Sequence, residues 1–287
     1  MIRSFLFVPG DSERKLEKAP TSGADALIVD LEDAVLPTAR PAARQLTAEF
    51  VAGKSDTWVR INPIDSPDAL PDLDAVLGAN PAGIVLPKAR SASDVKELSA
   101  IIDKAERENG IAAGSIRILP LVTETPEALF SLGSYQHATD RLAGLTWGAE
   151  DLSASLGATA NRGEDGDWLP PYQMARTLCL YAAGAAEVAA YDTVFTDVRN
   201  LEGLARYAAA ARRDGFAGML AIHPGQVDTI NEAFQPSAEE VEFAERVIES
   251  FEANPGAGVV SLDGKMLDRP HLVQAKRILE LAKRQSH

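Results

Sequence analysis

Residues 145–157 read Leu-Thr-Trp-Gly-Ala-Glu-Asp-Leu-Ser-Ala-Ser-Leu-Gly: an apolar run ends at a single glycine and gives way to two adjacent carboxylates. The run reaches back to Leu142, and its composition predicts a strand over residues 142–147. An acidic pair directly after such a strand reads first as a helix N-terminus, where Glu and Asp suit the positive end of the peptide dipoles. A strand passing into a helix through one glycine is a β/α junction, and the fold depends on how often that junction recurs.

It recurs through the first 235 residues. Strands are predicted at Ser4–Val8, Ala26–Asp30, Thr57–Asn62, Gly83–Pro87, Arg117–Val122, Leu142–Trp147, Thr193–Thr196 and Met219–His223. Between them lie segments with helical periodicity or helix-start residues, among them Pro41–Val51, Ser91–Glu108, Pro171–Ala190 and Leu201–Arg213. Eight such units in a chain of 287 residues predict an α/β fold, a parallel (β/α)8 TIM barrel over residues 1–235 with extra C-terminal helices over 236–287. A doubly wound open sheet is the alternative, but no glycine-rich dinucleotide fingerprint follows the first strand.

Hydrophobic residues make up 46% of the chain, enough for a sizeable core, and the formal charge of -14 argues against nucleic acid or an anionic membrane as partner. A small-molecule substrate is expected instead. Cys179 is the single cysteine, which excludes an intramolecular disulfide and a Cys-based zinc site; its apolar neighbours predict a buried structural thiol. The first apolar stretch is too short for a signal peptide and no uncharged run reaches membrane-spanning length, so no membrane partner and a cytoplasmic location are expected.

In such a barrel, functional groups collect where strands end and the following loops begin. Those ends carry Asp30 with Glu32 and Asp33, Arg60 with Asn62, Lys88, Glu124, Glu150-Asp151, Asp197 and His223. Glu124 and Asp151 end consecutive strands and should lie side by side, where two converging negative charges require a cation. Oxygen donors without His or Cys suit a hard ion, Mg2+ rather than zinc. The plainer readings of Glu124 are a shared proton or a helix cap within Glu124-Thr125-Pro126-Glu127. Gly148 leaves room beside the backbone and frees N–H groups at a helix start for an anion. Spacing does not separate Glu150 from Asp151; we assign Asp151 as ligand and Glu150 as its flanking group. Arg60 inside a β-branched strand needs a buried anion: Asp30 or Glu32, a substrate carboxylate, or both. Lys88 reads as an ion-pair partner of the same acids rather than a Schiff-base amine. His223 fits a hydrogen-bonded structural histidine at least as well as a general base.

Phe7-Val8-Pro9-Gly10-Asp11, Asp30-Leu31-Glu32-Asp33-Ala34-Val35, Val59-Arg60-Ile61-Asn62, Leu86-Pro87-Lys88, Leu121-Val122-Thr123-Glu124-Thr125, Trp147-Gly148-Ala149-Glu150-Asp151-Leu152 and Ile222-His223-Pro224 together resemble the citrate lyase β-subunit-like family. That family groups with malyl-CoA and citramalyl-CoA lyases in the HpcH/HpaI aldolase superfamily, and the similarity covers almost the whole chain. The resemblance implies a homo-oligomer, trimer or hexamer, and Mg2+ held by Glu124 and Asp151. It places a substrate carboxylate or keto oxygen at Arg60 and at the backbone of Ala149 and Glu150, with Asp30, Glu32 and Lys88 behind them. Asp268, in the stretch Gly264–Pro270, is implied as the acid/base that reaches into a neighbouring protomer's site; pattern alone makes it part of a loop before a last helix, Pro270–Lys283. Arg14 and Lys18 are implied to hold the phosphates of CoA.

The implied reaction is Mg2+-dependent cleavage or formation of a carbon–carbon bond in a 3-hydroxyacyl-CoA thioester such as citramalyl-, malyl- or citryl-CoA. Its products are an α-keto acid or oxaloacetate and acetyl-CoA or a related acyl-CoA. The alternatives are a β-subunit of a multi-subunit citrate lyase acting on an acyl-carrier-bound thioester, a CoA-independent pyruvate-type class II aldolase, and a Schiff-base aldolase at Lys88. The loop over residues 161–168 follows no part of the family pattern, so the acyl group stays open.

Overall fold

The structure, a computed structural model, describes residues 2–164 and 166–283. Eight strands form one parallel sheet: β1 (Ser4–Pro9), β2 (Ala26–Asp30), β3 (Thr57–Arg60), β4 (Gly83–Leu86), β5 (Arg117–Pro120), β6 (Gly144–Thr146), β7 (Ala189–Asp192) and β8 (Gly218–Ala221). Their order is β5-β4-β3-β2-β1-β8-β7-β6, and parallel bridges from Ile118 to Leu142 and from Leu121 to Thr146 close the ring between its two ends. Helices follow the strands in turn: α1 (Glu13–Lys18), α2 (Arg40–Val51), α3 (Ala69–Val76), α4 (Ala92–Asn109), α5 (Pro126–Leu129), α6 (Ala149–Leu156), α7 (Pro170–Ala185), α8 (Leu201–Asp214) and α9 (Val227–Ala233). Burial on both faces explains why strands such as Ala26–Asp30 read as unbroken apolar runs.

Inside the barrel, Phe5 meets Trp58 and Tyr191 edge to face, with ring centroids 5.5 Å and 4.9 Å apart. Side chains two apart share a face of a strand. Trp58 therefore sends Arg60 into the same interior one layer higher, and Ile28 does the same for Asp30. Gly83 on β4 makes room for this layer, because a Cβ there would meet the Trp58 ring at 2.3 Å.

Strand seven departs from expectation. Thr193–Thr196 has the stronger β propensity, yet the strand is Ala189–Asp192, paired as Gly144 to Ala189, Leu145 to Ala190 and Thr146 to Tyr191. Closure of the ring sets that register, and pairing partners outweigh local propensity. Asp197 consequently lies exposed in a loop, and the charged end of this strand is the buried Asp192.

The chain divides into two compact units, Ile2–Ala233 and a C-terminal unit beginning at Phe234. The second has its own small core of Ala244, Val247, Phe251, Val260, Leu267 and Ala275. It contains helix α10 (Ala238–Glu252), strands β9 (Val259–Leu262) and β10 (Lys265–Asp268), and helix α11 (Arg269–Lys283). The antiparallel hairpin β9–β10 replaces the loop expected around Leu267-Asp268. Its signal is Asp263-Gly264, both at positive φ (51° and 76°), the backbone that a two-residue hairpin turn requires. Among the described residues, no helix is long and apolar enough to cross a membrane.

Candidate active site

The carboxyl ends of the barrel strands open onto a cavity of ≈ 400 Å3. Its charged lining is Asp30, Asp33, Arg60, Glu124, Glu150 and Asp151; its apolar lining includes Phe7, Leu121, Trp147 and Leu220. Nine of the residues singled out by sequence meet around this space: Asp30, Glu32, Asp33, Arg60, Lys88, Glu124, Ala149, Glu150 and Asp151.

Glu124 follows β5 and is only 2% exposed. It does not cap the next helix; Thr125 does so, accepting a hydrogen bond from the Ala128 N–H. Glu124 Oε2 instead accepts a 2.5 Å bond from the backbone N–H of Lys88, a residue held at φ 51° in the left-handed region. Gly148 is the complement of this carboxylate, since a Cβ at 148 would lie 2.8 Å from Glu124 Cγ and 2.9 Å from Oε1. Burial, together with the like charges of Asp151 and Glu32, pushes the Glu124 carboxyl up to about 8.

Gly148 is also the N-cap of α6, and no side chain caps that helix. Ala149 and Glu150 thus begin a helix whose first N–H groups face an anion-receptive end of the peptide dipoles. The helix-start reading of the acidic pair holds, and the same turn faces the cavity. Glu150 and Asp151 occupy the first turn of α6, and both line the cavity. They diverge in partners: Glu150 accepts from Asn161 Nδ2 at 2.9 Å, whereas Asp151 Oδ1 lies 3.1 Å from Lys88 Nζ.

Arg60 has found its buried anion within the protein. Its Nε and Nη2 bind Asp30 bidentately at 2.8 Å and 2.7 Å, and Nη1 lies 3.0 Å from Glu32 Oε2. The guanidinium also sits 4.8 Å above the Phe7 ring. Asp30 in turn accepts from the N–H groups of Glu32 and Ala34, which shapes the loop after β2. Lys88 Nζ lies 2.5 Å from Glu32 Oε1. Burial alone would lower the Lys88 pKa, but Glu32, Glu124 and Asp151 raise it, so the amine is held as ammonium and is no Schiff-base nucleophile at neutral pH.

This donor set fits a hard divalent ion. Asp30, Glu32, Glu124 and Asp151 against Arg60 and Lys88 leave two uncompensated negative charges when all are ionised. Among the described residues no three His, Cys, Asp or Glu converge as a metal cage. Glu124 and Asp151 would supply two oxygens and leave other positions to water and substrate, the arrangement Mg2+ favours.

The remaining predicted residues lie elsewhere. Arg14 and Lys18 are exposed on α1. Asp268 is exposed at the end of β10, where its carboxylate bonds His271 Nδ1 at 2.6 Å. His223 caps a short 3-10 turn, accepting from the Gly225 N–H, while Gln226 accepts from the His223 N–H. The buried Asp192 was invisible in the sequence because it preceded the expected strand. It accepts from Trp147 Nε1 at 2.7 Å, Tyr207 OH at 2.9 Å and Arg176 Nη2 at 2.7 Å, and so anchors the residue that precedes Gly148.

Known proteins resemble this chain over almost its whole length. Residues 3–224 match the family model described as HpcH/HpaI aldolase/citrate lyase, and residues 173–285 match one described as a C-C bond lyase of the TIM-barrel fold. The chain is 38% identical to citrate lyase subunit beta of Haemophilus influenzae, over 98% of this chain and 97% of the relative. It is 34% identical to a (3S)-malyl-CoA thioesterase of Cereibacter sphaeroides, over 98% and 94%. Among solved structures, CitE of Mycobacterium tuberculosis in complex with magnesium, acetoacetate and coenzyme A superimposes with a TM-score of 0.83 at 32% identity, covering 98% of both chains.

Proposed function

The chain belongs to the HpcH/HpaI aldolase/citrate lyase family, and from that premise we propose that it is a Mg2+-dependent carbon–carbon lyase acting on a 3-hydroxyacyl-CoA thioester. The observation that carries the reading is the pair of buried Glu124 and half-buried Asp151, just beyond the ends of the neighbouring strands β5 and β6, opening onto one cavity with Arg60. Glu124 and Asp151 would hold the ion. When bound, Mg2+ supplies a Lewis acid that offsets the charge developing on the substrate's hydroxyl and carboxylate oxygens as the bond breaks.

The chain's own groups do the rest. The N–H groups of Ala149 and Glu150 receive the carboxylate or keto oxygen of the departing keto acid. Arg60, already shared between Asp30 and Glu32, presents positive charge to the same fragment without having to be ordered first. Phe7, Leu121, Trp147 and Leu220 exclude water from the thioester enolate. Asp268 of a neighbouring copy takes the proton that the substrate hydroxyl loses as the bond breaks and returns it to the enolate carbon, and in the condensation direction carries it the other way. Arg14 and Lys18 on α1 face the phosphates of CoA, in a homo-oligomer.

A (3S)-malyl-CoA thioesterase among the relatives favours a second reading, hydrolysis of the same class of thioester. The test is purified protein with Mg2+ against citramalyl-, malyl- and citryl-CoA, reading keto acid and free thiol together. Keto acid without thiol supports the lyase. Thiol alone supports hydrolysis, and neither product from any thioester overturns both.

A further inference from the structure

Glu124 and Asp151 differ in how their charge is answered. Glu124 accepts a backbone N–H and feels the Lys88 ammonium only at longer range, against the repelling acids Asp151 and Glu32, whereas Asp151 has one ion pair among the described residues, to Lys88 Nζ at 3.1 Å. The same ammonium lies 2.5 Å from Glu32 Oε1, and Glu32 is 3% exposed. Lys88 therefore bridges a buried carboxylate and a proposed metal ligand, while its backbone N–H holds the other proposed ligand. Lys88 holds a left-handed backbone, φ 51°, while its N–H meets Glu124 and its side chain runs to Glu32 and Asp151.

An ammonium on Asp151 and a divalent ion on the same carboxylate are competing occupants. They repel each other, and the carboxylate cannot be fully shared between them. We propose that Lys88 is a built-in counter-ion of this site that competes with the divalent ion for Asp151, so that its charge sets the metal affinity of the protein. The proposal rests on Glu124 and Asp151 being the metal ligands. Arg60 cannot take this part, because Asp30 and Glu32 already hold its three nitrogens. The competing ammonium weakens metal binding, and in exchange it keeps the carboxylates apart and oriented when no ion is bound.

The probe is Mn2+ binding to the free full-length protein, followed by electron paramagnetic resonance and calorimetry without substrate. Lys88→Met removes the charge and is expected to bind Mn2+ about tenfold more tightly than wild type. Lys88→Arg keeps the charge and is expected to stay near wild-type affinity. Unchanged or weaker binding by Lys88→Met, with wild-type circular dichroism, overturns the competition. Loss of the wild-type signal in Glu124→Gln establishes that the ion sits at this site. Wild-type binding that persists in Glu124→Gln overturns the ligand assignment itself and leaves the two failures distinct.

Discussion

Glu124 illustrates how one residue can be legible in kind and not in state. A carboxylate ending an apolar run is visible in the sequence; that it is buried against Gly148 and pushed up to about 8 by burial and by Asp151 and Glu32 is not. Gly148→Ala should be more damaging than its size implies. The added methyl would sit 2.8 Å from Glu124 Cγ, and displacing that carboxylate by about 1 Å should lower kcat/KM about 100-fold while circular dichroism stays unchanged. Glu124→Ala and Asp151→Ala should each abolish metal-dependent turnover with the fold intact. Wild-type turnover persisting in rigorously metal-free buffer would contradict the assignment.

Between residues and fold, buried polar anchors hold the rim. Asp192 at the end of β7 ties Trp147 to Arg176 and Tyr207, so the turn into α6 inherits its position from three other elements. Asp192→Asn removes the buried charge beside Arg176, which keeps only its ion pair with Asp214, and should cost about 3 kcal/mol of stability, with a raised KM for the keto acid in the condensation assay. At the opposite end of the barrel, Glu106 on α4 binds Arg141 and the N–H groups of Gly114 and Ile116. Burial alone would raise its pKa, but these donors hold it down to about 2. Because the folded value lies below the ordinary glutamate value of 4.5, this contribution is complete above that value and is lost as pH falls towards 2. Urea unfolding at descending pH should show wild type losing stability across that window. Glu106→Gln should already be about 3 kcal/mol weaker at neutral pH and should lose less on acidification.

At the scale of the whole molecule, the proposed function requires Asp268 of one copy to complete the site of another. Glu124→Ala and Asp268→Ala should each be inactive alone. Mixed, dissociated and reassembled, they should regain part of the activity, because some sites then combine an intact Glu124 with an intact Asp268. No regain after mixing would confine Asp268 to its own chain or to a structural role beside His271. Eight repeating junctions made the barrel readable, since a two-residue period and apolar runs are local properties of each strand. The acids and Arg60 were readable as types because a barrel gathers its strand ends on one rim. The register of β7, the Asp192 anchor and the Lys88 bridge were not readable. Ring closure moved the strand four residues towards the N-terminus from its better β-formers, and the two contacts join positions far apart in sequence. Local residue pattern thus decided which elements form and in what order. Which charges face one another, and how burial changes them, was decided only when the strands closed, because pairing and desolvation depend on neighbours that the order of residues does not name.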